Sequence, residues 1–241
     1  MDSSKILWVI GGGTGMGRAA AVEAAEAGWR VAVTGRRHDA VAETTRLIAL
    51  AGGEALAVVA DARDAESLAG AHSRIEAYWG RVAAVVLAAG LNAPNRTWAD
   101  QSIRDFADIV DTNLTSVARA IHLVLPGMRA EGSGNIVVVS SRAAWRFSPG
   151  SGVAYMSSKT GLSALVASIN DQEGANGIKA CHLCPGDVDT DFLAMRPEVP
   201  DAEQRSQMLG AGDVARAVRF ILDSPPHVRI DELAISPIGQ R

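Results

Sequence analysis

The chain has 241 residues, 48% of them apolar and 21% charged, with a formal net charge of −4. That length is enough to bury a core and hide roughly three quarters of the unfolded surface, and the composition is that of a globular protein and not of a disordered one. The slightly acidic balance speaks against a nucleic-acid partner, and no run reaches the ~18 apolar residues of a membrane span.

The opening MDSSKILWVI is short and runs at once into glycines, so it does not read as a secretory signal; a cytoplasmic protein is expected. Strand-length apolar runs then alternate with stretches of helical period. The strand candidates are ILWVI (6–10), RVAVTG (30–35), ALAVVA (55–60), VAAVVLAA (82–89), NIVVVSS (135–141), IKACHLC (178–184) and ELAIS (232–236). They are continuously apolar, as strands covered on both faces of a parallel sheet should be. Helical segments fall near 15–27, 38–51, 64–78, 101–130, 154–174 and 213–222, and Gly28, Gly52, Gly80 and Gly132 stand at or just past helix ends. No repeat or linker interrupts the rhythm, so one α/β domain over 1–241 is expected: a doubly wound parallel sheet of about seven strands between two helical layers. Ligands of such folds bind at the carboxyl ends of the strands.

Three motifs sit at such ends. Ile10 to Arg18 reads IGGGTGMGR, directly after the first strand. Gly11, Gly15 and Gly17 follow a G-x-x-x-G-x-G spacing that gives a tight turn, close backbone approach and a helix N-terminus facing a pyrophosphate. Five glycines in seven residues could also be a plain flexible turn, but their place between strand and helix favours the dinucleotide site. At the end of the second strand Gly35 is followed by Arg36 and Arg37 and by no carboxylate. A guanidinium there suits the 2′-phosphate of NADP, and NAD, which calls for an acidic residue, is disfavoured. The third motif is Tyr155-Met-Ser-Ser-Lys159, opening a helix in a chain with two tyrosines. Four-residue spacing stacks the two side chains on one helical face. The ammonium is expected to lower the pKa of the phenol and so tune it for acid/base work.

A C-x-x-C, Cys181 and Cys184, lies within a strand-like run where residues three apart face opposite ways. No second ligand pair accompanies it, and no metal is expected.

The glycine turn, the Tyr155–Lys159 pair and Ser141, 14 residues before the tyrosine, together resemble the short-chain dehydrogenase/reductase family along nearly the whole chain. The resemblance implies a Rossmann-like fold and an NADP-dependent oxidoreductase acting on carbonyl/alcohol pairs. By the same resemblance Tyr155 is the acid/base, Lys159 its partner and the holder of the nicotinamide ribose, and Ser141, rather than Ser140, the hydrogen-bond donor to the substrate carbonyl. Asn113 matches the helix asparagine that orders a relay water. Gly11, Gly13, Thr14, Gly15, Met16 and Gly17 would cradle the pyrophosphate, with Arg36 and Arg37 at the 2′-phosphate. Asp61 and Ala62 fall at the adenine, Ala89 and Gly90 under its ribose, and Pro185, Gly186, Val188 and Thr190 over the nicotinamide.

The sequence also departs from the family. Its Asn-Asn-Ala-Gly reads here Leu87-Ala88-Ala89-Gly90, the serine-to-tyrosine gap is one residue longer than usual, and the tail lacks Asp-Gly-Gly. That tail looks more like those of NADP-dependent 3-hydroxy acid dehydrogenases. Leu91, Asn92, Trp145, Phe147, Phe192 and Met195 are expected to line the substrate pocket, with 190–210 as a small lid, although Phe192, Leu193 and Met195 equally suit plain packing. This wall favours a small or medium ketone, or its secondary alcohol, with an apolar group beside the carbonyl. Arg142 and Arg146 would instead suit a carboxylate. A 3-hydroxy acid dehydrogenase and a reductase of carrier-bound 3-oxoacyl chains are the alternatives within the family. A catalytically silent NADP-binding regulator is the alternative outside enzymology. The family resemblance further implies a homo-oligomer, a tetramer or a dimer.

Overall fold

A computed structural model describes residues 5–240. The chain runs β1 (Ile6–Ile10), α1 (Gly15–Glu26), β2 (Arg30–Gly35), α2 (His38–Leu50), β3 (Ala55–Val59), α3 (Ala65–Trp79) and β4 (Ala84–Leu87). It continues through α4 (Ile103–Val110), a π turn at Asp111–Thr115, α5 (Ser116–Glu131), β5 (Gly134–Val139), α6 (Arg142–Trp145) and α7 (Val153–Glu173). Then come β6 (Ile178–Pro185), β7 (Val188–Asp189), a 3-10 turn at Asp191–Met195, α8 (Ala202–Ser206), β8 (Leu209–Gly210), α9 (Ala211–Leu222) and β9 (Glu232–Ile235).

The main sheet has seven strands in the order β3-β2-β1-β4-β5-β6-β9, all neighbours parallel, as the alternating rhythm predicts. The order reverses between β1 and β4, and a crevice opens beyond their carboxyl ends at that point.

The continuous apolar runs have a direct cause. Along β1, Ile6, Trp8 and Ile10 enter one core with side chains of α3, α5 and α7, while Leu7 and Val9 enter the other with α1, α2 and α9. Both faces are dry, so no position in the strand tolerates an unsatisfied polar group. Trp8 meets this condition by donating its indole N–H to the Thr34 hydroxyl at 2.8 Å. Asp64 caps α3 through the backbone N–H groups of Glu66 and Ser67, and Ser102 caps α4 through that of Asp105. Gly132 closes α5 in the left-handed region at φ 68°.

The structure corrects the sequence reading in two places. The single helix expected over 101–130 is two helices joined by the π turn that carries Asn113; a five-residue change of hydrogen-bond step leaves no mark on apolar periodicity. The irregular segment 190–210 holds a 3-10 turn and α8, and the two-residue parallel pair of β7 with β8 ties its ends together. Among the described residues no helix is long and apolar enough to cross a membrane.

Candidate active site

The crevice is a cavity of about 730 Å³ bordered by the ends of β1, β2, β4, β5 and β6. Its floor is the glycine turn. Gly11 adopts φ 84°, and the backbone N–H groups of Gly11 and Gly12 both donate to the Thr34 carbonyl, at 2.9 and 3.0 Å. A Cβ on Gly11 would lie 2.4 Å from the Ala89 nitrogen, and one on Gly17 would lie 2.2 Å from the Gly11 oxygen. Only glycine lets the turn nest against the end of β4, which also accounts for the small residues Ala88 and Ala89 there. Helix α1 starts at Gly15 with Thr14 at the N-cap and no side chain on its first N–H groups. Gly13, Thr14, Gly15, Met16 and Gly17 border the cavity, and this bare helix terminus suits an anion.

Two side chains that the sequence reading missed fasten the turn. Arg18 donates from Nη2 to the Gly13 carbonyl at 2.5 Å and from Nε to the Thr44 hydroxyl at 3.1 Å. Buried Thr44 in turn donates to the Gly12 carbonyl at 2.9 Å. They stand 26 residues apart in sequence, and no local spacing announces them.

Arg36 and Arg37 are exposed on the cavity rim at the end of β2, and neither forms an ion pair among the described residues. Asp61 and Ala62 border the same end. Burial opposes ionisation of Asp61, but the Arg63 N–H at 3.0 Å and the Arg63 guanidinium at 3.3 Å outweigh it and hold the carboxyl below its ordinary range.

Ser141, Tyr155 and Lys159 converge on the opposite end of the crevice, where all three border the cavity. Gly152 stands at the N-cap of α7, so Tyr155 lies in the first turn and Lys159 one turn on. Ser141 caps the short α6 by accepting the Ala143 N–H at 3.1 Å, and its hydroxyl acts to lower the pKa of the Tyr155 phenol. Ser140 is buried and turns away, donating to the Lys159 carbonyl at 3.3 Å.

The expected effect of the lysine on the tyrosine is not what the structure shows. Burial pushes the Tyr155 phenol above its ordinary value, against the pull of the Ser141 hydroxyl and of the nearby Arg96 and Arg196, with Asp187 adding to the rise. The Lys159 ammonium lies 5.8 Å from the centre of the Tyr155 ring but donates to the Val139 carbonyl at 3.1 Å. Its own burial lowers its pKa to about 8. Sequence spacing records which face a pair shares and carries no information about desolvation.

Asn113 is fully buried in the π turn. Its Oδ1 accepts the Leu91 N–H at 2.7 Å, and its Nδ2 donates to the Leu91 carbonyl at 2.9 Å and to Ser158 at 3.0 Å. The side chain therefore stitches the loop after β4 to α7 between Tyr155 and Lys159.

Pro185, Gly186, Val188 and Thr190 border the cavity beyond β6. Gly186 is pinned to β9 through the Ile235 carbonyl at 2.7 Å, and the Asp187 N–H donates to Gln240 at 2.9 Å. Phe192 and Met195 border the cavity as well, the Phe192 ring centre lying 6.1 Å from that of Tyr155. Asn92 also borders it, buried and bound to the Ser151 carbonyl at 3.1 Å. Ala89 and Gly90 complete the lining near β4.

Three expected pocket residues lie elsewhere. Leu91, Trp145 and Phe147 are not in the lining. The backbone of Leu91 is taken up by Asn113, and after the single turn of α6 the chain leads Trp145 and Phe147 out to solvent. The Trp145 ring is covered by the Arg146 guanidinium at 4.6 Å. In their place the cavity is bordered by Arg96 and Arg196, which the sequence reading did not single out.

Cys181 and Cys184 are free and buried, and desolvation holds both thiols up at about 12. Cys184 lies beside His182, whose Nδ1 is 2.9 Å from Glu232, and the three donor atoms fall within 4.8 Å of one another. A thiol so firmly protonated is a poor ligand and a poor nucleophile near neutrality.

Known proteins resemble this chain along its length. The family model described as short chain dehydrogenase matches residues 5–200. Sulfoacetaldehyde reductase 2 of Chromohalobacter salexigens is 30% identical over 98% of this chain and 96% of its own length. Glycine betaine reductase of Emericella nidulans is 28% identical over 98% of this chain, which spans only 19% of that protein. An alcohol dehydrogenase from the archaeon Thermococcus sibiricus, complexed with 5-hydroxy-NADP, superposes with a TM-score of 0.87 at 28% identity, covering 99% of each chain. The chain belongs to the short-chain dehydrogenase family, and with it to the oxidoreductases.

Proposed function

We propose that the protein is an NADP-dependent oxidoreductase interconverting a small or medium carbonyl compound and its alcohol, with Ser141, Tyr155, Lys159 and Asn113 as its working set. The observation that carries this reading is the meeting of Ser141, Tyr155 and buried Lys159 with the glycine-floored anion cradle in one cavity. The cradle fits a dinucleotide: the close approaches at Gly11 and Gly17 set its shape, and the N-terminus of α1 is free of side-chain caps. Arg36 and Arg37 at the rim, without an ion pair among the described residues, favour the 2′-phosphate of NADP over NAD, in keeping with the NADP derivative held by the similar archaeal dehydrogenase. When bound, the nicotinamide exchanges a hydride with the substrate carbon.

The chain supplies the proton and the geometry. Tyr155, whose phenol burial holds above its ordinary value, donates its phenolic proton to the carbonyl oxygen in reduction and recovers it in oxidation. Ser141, oriented by the Ala143 N–H, holds that oxygen. Lys159, whose ammonium is held by the Val139 carbonyl and lies on the phenol side of the site, would hold the nicotinamide ribose. Asn113 acts as a positioning residue, since its side chain is occupied by Leu91 and Ser158. Residues 190–210 serve as the lid, with Phe192 and Met195 on the substrate, and the whole chain works as a single domain. Reduced, buried cysteines suit a cytoplasmic setting. A homo-oligomer is proposed from the family resemblance, with light scattering as its test. Screening aldehydes and ketones for loss of NADPH absorbance tests the activity; no turnover across such a panel, with NADPH demonstrably bound, would remove this reading.

A further inference from the structure

The wall that faces Tyr155 is not wholly apolar: Arg96 and Arg196 stand in it beside Phe192 and Met195. Arg96 is half-buried on the loop after β4, and its aliphatic stem lies against Gly152, where a Cβ would come within 3.0 Å of it. Its guanidinium donates to three backbone carbonyls on three separate segments: Ala93 at 2.9 Å, Gly150 at 2.9 Å and Met195 at 2.8 Å. Five N–H donors serve three neutral acceptors, which leaves donors over. Among the described residues no carboxylate pairs with it. Arg196 borders the same cavity and pairs with Asp187 at 2.5 Å.

The two guanidiniums are close enough to repel. Desolvation first, and Arg196 second, make the charged form of Arg96 harder to hold, and both arginines favour the ionised form of Tyr155. One carboxylate, Asp187, therefore stands against two guanidiniums beside the phenol. Asp191 also borders the cavity but on the side of α1, where it shares a second groove with Gly15 and Ala19. A half-buried arginine without a counter-ion is an expensive feature unless an anion completes it. A purely structural clasp of three carbonyls does not require a second cation next to it.

We propose that the substrate carries an anionic group, a carboxylate or a similar oxyanion, that docks on Arg96 and Arg196 while its carbonyl faces Ser141 and Tyr155. Phe192 and Met195 then cover the short carbon chain between the two ends. The proposal rests on the carbonyl-reductase reading above. It assigns the anion to these two residues and not to Arg146, which is exposed and stacked on Trp145.

The test compares 4-oxobutanoate and 5-oxopentanoate, each against its methyl ester, with NADPH. The ratio of kcat/KM for acid over ester should exceed about tenfold for at least one length, as charge-assisted hydrogen bonds to a carboxylate imply. That ratio should fall about tenfold or more in Arg96→Gln and in Arg196→Gln and persist in Arg146→Gln. Arg196→Gln guards against the case in which losing the Arg96 clasp unfolds the loops. A second arm needs no turnover: calorimetric titration of the NADP-loaded protein with butanoate and with butanamide. Acid and ester equal at both lengths, with butanoate binding no better than butanamide, overturns the anion site and leaves the reductase standing. No turnover with any aldehyde, but butanoate binding that Arg196→Gln abolishes, keeps the site and removes the reductase reading. An acid-to-ester ratio unchanged in both arginine variants also overturns the assignment.

Discussion

Replacing Lys159 by methionine isolates the cost of burying its ammonium from everything else that titrates. The side chain is 4% exposed, and its one polar partner among the described residues is the Val139 carbonyl at 3.1 Å. Burial takes its pKa from an ordinary 10.5 to about 8. At 1.36 kcal/mol per tenfold change in proton affinity, the full penalty is about 3 kcal/mol. Below about pH 8 the lysine is charged in both states, so the whole penalty is present. Between there and 10.5 the unfolded chain keeps a proton that the folded chain has released, and stability rises with pH. From about pH 7 to about pH 9.5 the parent should therefore gain about 2 kcal/mol relative to Lys159→Met, other titrations cancelling between the two proteins. For a chain of this size that is a relative change in Tm of about 4–8 °C. Thermal or urea unfolding of both proteins without cofactor, at the two pH values, reads it directly. A stability difference that does not move with pH would show that the ammonium is solvated and that the burial reasoning is wrong.

Other consequences are as specific. Arg36→Ala should weaken NADP binding by about 1.5–3 kcal/mol, the range of a hydrogen bond to a charged group, and leave NAD binding nearly unchanged; a parent protein that prefers NAD in the same titration would refute the reading of the rim. Gly17→Ala pushes a methyl group to 2.2 Å from the Gly11 oxygen, so it should cost about 1–3 kcal/mol of stability and abolish measurable NADP binding. Parental affinity in that variant would mean that the turn is not the cradle.

Much of this was legible in the sequence because the constraints are local. Strands such as β1 read as unbroken apolar runs since each alternate residue enters a different core. The glycine turn is legible because backbone atoms of Ala89 and Gly11 occupy the space a Cβ would need. Tyr155 and Lys159 are legible because a helix fixes which residues share a face. What escaped depends on long-range meetings or on burial. Arg18 with Thr44, and Arg96 with Gly150 and Met195, are joined across 26, 54 and 99 residues. Trp145 and Phe147 stand close to Ser141 in sequence, yet one turn of α6 carries them out of the cavity. The rise in the Tyr155 pKa is a desolvation effect that spacing alone does not encode. Of the two positions where the family has asparagine, 87 and 88, the second is Ala88, which lies against the glycine turn, a packing reason for a small side chain there.

The central claim is that the Tyr155 hydroxyl moves the proton. Tyr155→Phe removes that one atom, leaving Ser141, the glycine cradle and Lys159 in place. The measurement is carbonyl-dependent oxidation of NADPH by the variant, alongside a titration showing that NADPH still binds. Parental cofactor affinity is expected, with turnover reduced roughly 100- to 10,000-fold, the usual contribution of a positioned acid/base. Turnover near that of the parent protein, with cofactor bound, would contradict it.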